Sequence, residues 1–200
     1  MGLDISYYSN VEHIPPNKVP KGVKPFNKEF DEWDKQYPNN YLYYIDKKNS
    51  NWPKHLEGLE NGWYLVPRTL GANSFRAGSY SGYNEWRDDL ALAAGFSGGA
   101  QEVWSLEDES IIGKPESPPF SELINFSDSD GIIGPKLSKK LYNDFINNEG
   151  KIKENIDMWF LKVHPYKEYD IRDMEWFFAK YDDWKEAFKV ASENGFVSFH

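Results

Sequence analysis

Apolar and polar residues alternate over short runs in the first half of the chain, which is the pattern of half-buried β-strands. The runs that fit are LDISYYS at 3–9, YLYYID at 41–46, GWYLVPR at 62–68 and SFRAGSY at 74–80. We predict a strand in each of them. The segment near 12–28 is rich in proline, lysine and glycine and predicts a surface loop, whereas NKEFDEWDKQ at 27–36 predicts a short helix or turn.

After residue 80 the apolar spacing changes to the three and four residues of a helix with one buried face. The residues on this face are Tyr83, Trp86, Leu90 and Ala93. Ser81 is the predicted N-cap of the helix, and Gly95 is its predicted stop.

Two further helices are predicted in the last third of the chain. Proline is tolerated at a helix start, so one helix begins at Pro135, and Gly150 is expected to end it. The other helix carries the apolar stripe Phe177, Tyr181, Trp184, Phe188 and Ala191. Gly195 stops it, and FVSFH closes the chain as a short strand. Short strands are also predicted in QEVWSL at 101–106 and ELINFSD at 122–128, whereas the pattern of 151–170 favours no single element.

Strands followed by helices predict an α+β fold, in which about three helices pack on one face of a mainly antiparallel sheet. The length of 200 residues suits a single domain spanning 1–200. The sequence has no cysteine, which excludes disulfides and thiolate metal sites and favours a reducing, cytoplasmic setting. A net charge of −9 disfavours binding to a nucleic acid polymer, and no apolar run approaches the length of a membrane span.

The sequence FRAGSYSGYNEWR at 75–87 is the first candidate site, because it combines cations, hydroxyls, flexible backbone and flat rings at a helix start. Helix-start amides and arginine favour a phosphate or carboxylate, and an aromatic ring favours a base or sugar face. The candidate ligand contacts are Arg76, Gly78, Ser79, Tyr80, Ser81, Tyr83, Asn84 and Arg87. In the alternative interpretation the segment is an ordinary strand–turn–helix. Ser81 then caps the helix, Tyr83 and Trp86 belong to the hydrophobic core, and Arg87 forms an ion pair with Asp88 or Asp89. The glycine spacing matches no Walker loop or dinucleotide fingerprint, so no cofactor is predicted.

The acidic sequence NFSDSDG at 125–131 is the second candidate site. Its candidate contacts are Asn125, Ser127, Asp128 and Asp130, where the aspartates would bind ribose-like hydroxyls or orient Arg76. The alternative is an Asx-type turn with a helix cap. The twelfth position counted from Asp128 is Lys139, which disfavours a calcium loop.

The four histidines show no zinc-binding spacing, so no metal site is predicted. His200 follows Phe199 at the end of the sequence and is a candidate acid–base group or ligand contact. The alternative is a solvated side chain with no role in binding.

Four blocks of the chain resemble a family of small proteins scattered through bacterial genomes, prophages and phages. The blocks are MGLDI at the start, FRAGSYSGYNEWRDDLA, LINFSDSDGIIGP and the ending W-x-x-AF…GFVSFH. In the family the acidic block often reads SDCEG, whereas SDSDG here keeps the acidic spacing and lacks the thiol. The resemblance implies no catalytic residue, but phage occurrence implies a role against host defence.

These features together predict a protein that binds and sequesters a small phosphorylated, nucleotide-like ligand, as an anti-defence sponge for an immune signal. One alternative is a phosphodiesterase or glycosyl hydrolase acting on such a ligand, with Asp128, Asp130 or His200 as acid or base. The other is an inhibitor that binds a host defence protein through its acidic, aromatic surface. The sequence does not fix the oligomeric state.

Overall fold

Seven strands and six α-helices form the part of the chain that the structure describes. The computed structural model describes residues 2–68, 73–106, 114, 117–126, 129–163 and 171–200, with the backbone alone for 157–163 and 171–172. The strands are β1 (Gly2–Tyr8), β2 (Glu12–His13), β3 (Asn40–Ile45), β4 (Gly62–Pro67), β5 (Ser74–Ser79), β6 (Gly131–Ile133) and β7 (Phe196–Phe199). The helices are α1 (Lys28–Asp34), α2 (Tyr80–Ala94), α3 (Gly99–Trp104), α4 (Ser121–Ile124), α5 (Pro135–Val163) and α6 (Ile171–Ala191).

The strands form two antiparallel sheets, which confirms the α+β class. The first sheet has the order β5-β1-β7-β6, and the second has the order β2-β4-β3. The sequence predicts the first sheet with helices on one face, but it does not predict that the strands would divide between two sheets. No helix within the described ranges combines the length and the apolar character needed to cross a membrane.

The main hydrophobic core lies between the first sheet and the long helices. Leu3 and Ile5 of β1 are fully buried in it, together with aromatic residues of α2 and α6. The indole rings of Trp86 and Trp184 stack with their centroids 6.0 Å apart. Burial of rings this large supplies much of the hydrophobic free energy of the fold.

The second sheet packs against part of the opposite face of the first sheet. Tyr43 of β3 lies 4.8 Å from Phe196 of β7 between ring centroids, and its hydroxyl hydrogen-bonds the Ser198 hydroxyl at 2.9 Å. Helix α1 covers the outer face of the second sheet through Trp33, which packs edge-on against Trp63 at 5.4 Å. Elsewhere on that face of the first sheet, Arg76 is exposed and Asp4 and Ser6 are partly exposed.

Most of the predicted elements are confirmed, including the four early strands, α1, α2, α6 and β7. The predicted loop near 12–28 contains the two-residue strand β2 and a 3-10 turn at Pro16–Lys18. Gly95 ends α2 in a left-handed conformation, with φ of 109°. The predicted N-cap is wrong by two residues, because the Ser79 hydroxyl accepts the Gly82 N–H at 3.0 Å and Ser81 lies inside the first turn.

Three other predictions are corrected by the structure. QEVWSL belongs largely to helix α3, whose start is fixed by a hydrogen bond of 2.7 Å from the Ala100 N–H to the Asp88 carboxylate. The predicted strand at ELINFSD begins as the short helix α4, because a brief apolar run does not distinguish a buried strand from a buried helical turn. Gly150 lies inside α5 and does not end it, because buried residues on both sides continue the helix.

Candidate functional site

Four separated parts of the sequence meet at one end of the first sheet. Strand β5 ends there and leads into α2, β1 and β6 begin there, and β7 ends there. The register places Gly2 opposite Ser79, and Phe199 opposite Gly131. Asp4 exchanges two backbone hydrogen bonds with His200, of 2.9 and 3.0 Å. We call this region the polar end and define it by Asp4, Arg76, Ser79, Asp130 and His200.

Arg76 presents an exposed cation at the polar end. Its guanidinium lies 3.3 Å from the Asp4 carboxylate, and 59% of its side chain is exposed to solvent. A β-bulge in the pairing of β1 with β5 adds one extra residue to β5, Ala77. Ala77 is buried, whereas Arg76 faces solvent. A Cβ on Gly2 would overlap the guanidinium, so the absence of a side chain at Gly2 makes room for Arg76. The neighbouring carboxylate and glycine therefore position the cation.

The start of helix α2 lies beside Arg76. Gly2 is next to the Arg76 guanidinium and also pairs with Ser79, which is the N-cap of α2. The hydroxyls of Ser79 and Ser81 lie 3.0 Å apart, and the first turn of α2 contains no acidic residue. First-turn amides carry a partial positive charge that favours an anion. Gly78 has φ of 135°, a conformation that other residues rarely adopt.

Neither of the tyrosines predicted to contact a ligand has a fully exposed ring. Tyr83 is fully buried in the core and has no ring surface exposed for stacking, and Tyr80 is half-buried against the same core. An exposed ring close to this junction is Trp176 of α6, whose indole lies 3.8 Å from the position of a Cβ on Gly78. Sequence reasoning missed Trp176 because it adjoins the buried stripe residue Phe177 and matches no motif.

Arg87 is buried and holds the segment that precedes the acidic block. Its guanidinium donates hydrogen bonds to the backbone carbonyls of Ile124 at 3.0 Å and Phe126 at 2.5 Å. It also donates to the Asn84 side-chain oxygen and lies 4.7 Å above the centre of the Tyr83 ring. Arg87 therefore bonds to backbone carbonyls, whereas the alternative interpretation of the sequence paired it with Asp88 or Asp89. Asn84 and Arg87 together hold the backbone that leads into the acidic block.

Part of the acidic block lies beside His200. Gly131 pairs with Phe199, so the preceding residue, Asp130, adjoins the end of β7, and its carboxylate accepts a hydrogen bond of 3.0 Å from the Ser129 hydroxyl. Asn125 is half-buried directly after α4, and its N–H donates to the Ser121 carbonyl at 2.9 Å. The predicted contacts Ser127 and Asp128 lie outside the described residues.

His200 is exposed, and its Nε2 atom lies 2.9 Å from the Ser6 hydroxyl. Ser6 is two residues after Asp4 on β1 and therefore shares its face of the sheet. Sequence reasoning did not identify Ser6, because a lone serine in an alternating strand carries no motif. Within the described ranges, no group of three histidine or acidic side chains is arranged to hold a metal ion.

The polar end therefore offers a cation, helix-start amides and hydroxyls on one side, and a carboxylate and an imidazole on the other. The first set suits an anion, and the second suits hydroxyl groups. Comparisons with protein-family models, curated proteins and solved structures find no match to this chain.

Proposed function

We propose that the protein binds and sequesters a small phosphorylated, nucleotide-like ligand at the polar end. The observation that carries this proposal is the position of Arg76, which is exposed, held beside Asp4 and adjacent to the start of α2. A bidentate guanidinium and helix-start amides together recognise phosphate oxygens well. The resemblance of the sequence blocks to phage and prophage proteins supports a role in removing a host immune signal.

Each group at the polar end has a distinct part in this proposal. Arg76 binds the phosphate together with the hydroxyls of Ser79 and Ser81. Trp176 stacks on the base, because its exposed indole lies close to Gly78. Asp130 and His200 bind sugar hydroxyls from the β6–β7 side of the sheet. The ligand would then span the end of the sheet from β5 to β6.

Isothermal titration of the purified full chain tests the proposal with inorganic phosphate, mononucleotides and cyclic dinucleotides. We expect Arg76→Ala to weaken binding about 10- to 100-fold, the effect of losing hydrogen bonds to a charged group. The melting temperature should stay unchanged, because the side chain is largely exposed. Arg68→Ala is the matched control. Arg68 also pairs with an aspartate, Asp34, at 3.4 Å, but it directly follows β4 of the second sheet and is not part of the polar end. Equal affinities in the two variants would contradict the proposal.

One observation favours hydrolysis of the ligand as a second candidate function. The Ser6 hydroxyl lies 2.9 Å from His200 Nε2, which is the separation of a nucleophile from its general base. A binding protein saturates at one ligand per site, whereas an enzyme consumes ligand supplied in large excess. Continued consumption that stops in Ser6→Ala would establish hydrolysis, and saturation without loss of ligand would establish sequestration.

A further inference from the structure

A cavity of about 350 Å³ opens on the outer face of the second sheet and shares no residue with the polar end. Its lining is mostly aromatic and includes Pro25, Phe26, Phe30, Tyr44 and Trp63. The volume falls within the range of sites that bind small molecules. We propose that this cavity, the aromatic pocket, binds a small planar aromatic compound that carries an anionic group.

The walls of the aromatic pocket are already arranged to receive a flat ring. Phe30 and Trp63 stack with centroids 5.4 Å apart and an angle of 22° between their planes. Tyr44 packs against Trp63 at 5.0 Å. These rings are held by the sheet and by α1, so a planar ligand would meet rigid apolar surfaces at little cost in side-chain entropy.

Phe26 lies at the mouth of the pocket with an exposed ring and a left-handed backbone conformation. Its side chain is 93% exposed, and its φ is 61°, a left-handed value that costs a bulky residue about 1–2 kcal/mol. Asn27 fixes the loop, because its side chain donates to the Gly22 carbonyl at 2.8 Å and accepts the Phe30 N–H at 2.8 Å. A ring inserted into the pocket would gain contact with Phe26 and bury it.

The charges around the mouth favour an anion. Lys18, Lys21, Lys24 and Lys28 are exposed, and no acidic residue lies between Ile14 and Lys28 in a chain whose net charge is −9. Lys24 directly precedes the lining residue Pro25, and Lys28 lies between Phe26 and Phe30. None of the four lysines forms an ion pair with a residue that the structure describes.

The acidic residues of α1 reduce this positive charge only in part. Glu32 pairs with Lys35 at 2.8 Å, and Asp34 pairs with Arg68 at 3.4 Å. Glu29 and Asp31 are exposed on the same helix. The positive groups that adjoin the lining residues therefore remain available to a negatively charged ring compound.

Binding of 8-anilinonaphthalene-1-sulfonate to the folded full chain tests the inference, because this probe joins flat rings to an anionic sulfonate. We expect one saturable site that Phe26→Ala weakens about tenfold without changing the melting temperature, since the Phe26 ring is exposed. Replacing Lys24 and Lys28 with glutamine should weaken binding about threefold and reduce its dependence on salt. Ile146→Ala, which removes another exposed apolar side chain, is the control and should have no effect.

N-phenyl-1-naphthylamine has the same rings without the sulfonate and separates the two parts of the inference. Its binding should fall in Phe26→Ala and stay unchanged when the two lysines are replaced. Equal affinity of the sulfonated probe for the wild type and Phe26→Ala would overturn the assignment to this cavity. Equal affinity for the wild type and the lysine variant would overturn the preference for an anion. Arg76→Ala should leave probe binding unchanged, so a failure here is distinct from a failure of the polar-end proposal.

Discussion

At the scale of single residues, Asp89 on α2 is a carboxyl group whose environment disfavours its charge. Burial, reinforced by the nearby carboxylates of Asp88, Glu85 and Asp173, raises the pKa of Asp89 to about 7. In the unfolded chain the same group titrates near 3.8. The folded state therefore binds a proton more tightly than the unfolded state, and its stability falls as the pH rises from about 4 to about 7.

We expect Asp89→Asn to remove this dependence of the folding stability on pH. At pH 8 the variant should have a free energy of unfolding about 1–2 kcal/mol above that of the wild type, because the neutral amide avoids the charge; solvent screening limits the gain. Below pH 4 the two proteins should be equally stable, since Asp89 is then protonated in both states. Urea denaturation at several pH values measures the difference. A stability difference that does not change with pH would contradict this account of Asp89.

Arg87 has a different role, because its buried guanidinium joins α2 to the segment before the acidic block. Arg87→Met keeps most of the side-chain volume but leaves the carbonyls of Ile124 and Phe126 without these donors. We expect a loss of about 3 kcal/mol in the free energy of unfolding, measured by urea denaturation. Arg68→Ala should cost less than about 1 kcal/mol, since Arg68 is exposed on the surface. Equal losses in both variants would show that Arg87 does not support the fold in this way.

At the scale of elements, α5 continues through Gly150, although glycine is a poor helix former. Nothing lies within 4 Å of the position that a Cβ on Gly150 would occupy, and the residue is exposed. Gly150→Ala should therefore raise the free energy of unfolding by about 0.5–1 kcal/mol, because alanine loses less backbone entropy in a helix. Thermal and urea denaturation measure the gain. A destabilised variant would indicate that the helix is interrupted at this point.

The elements that sequence reasoning identified differ from those it missed in a physical way. The periodic stripe from Phe177 to Ala191 predicts α6, because one buried helical face needs repeated apolar spacing. Helices α3 and α4 are too short for such a repeat, and the start of α3 depends on Asp88, which lies on α2 twelve residues before Ala100. Gly150 misled the prediction because buried neighbours, and not local propensity, decide where α5 continues.

At the scale of the whole molecule, the candidate site depends on strand order, which the sequence pattern does not provide. The residues Arg76, Asp130 and His200 are candidates from their local sequence alone. Their common location follows only from the order β5-β1-β7-β6 and from the register that pairs Asp4 with Arg76 and Phe199 with Gly131. Burial of Tyr83 likewise depends on packing between α2 and α6, where its ring lies 5.7 Å from that of Trp184.

We propose that the polar end holds one small anionic ligand through Arg76. Native mass spectrometry tests it directly on wild-type protein, Arg76→Ala and Arg68→Ala, each purified from bacterial cells that make nucleotide signals. Ligand released by denaturation is then identified by its mass. We expect the wild type and Arg68→Ala to carry the same small anion at a fixed ratio and Arg76→Ala to carry none. A wild-type protein without bound anion, or an Arg76→Ala variant that carries as much as the wild type, would contradict the claim.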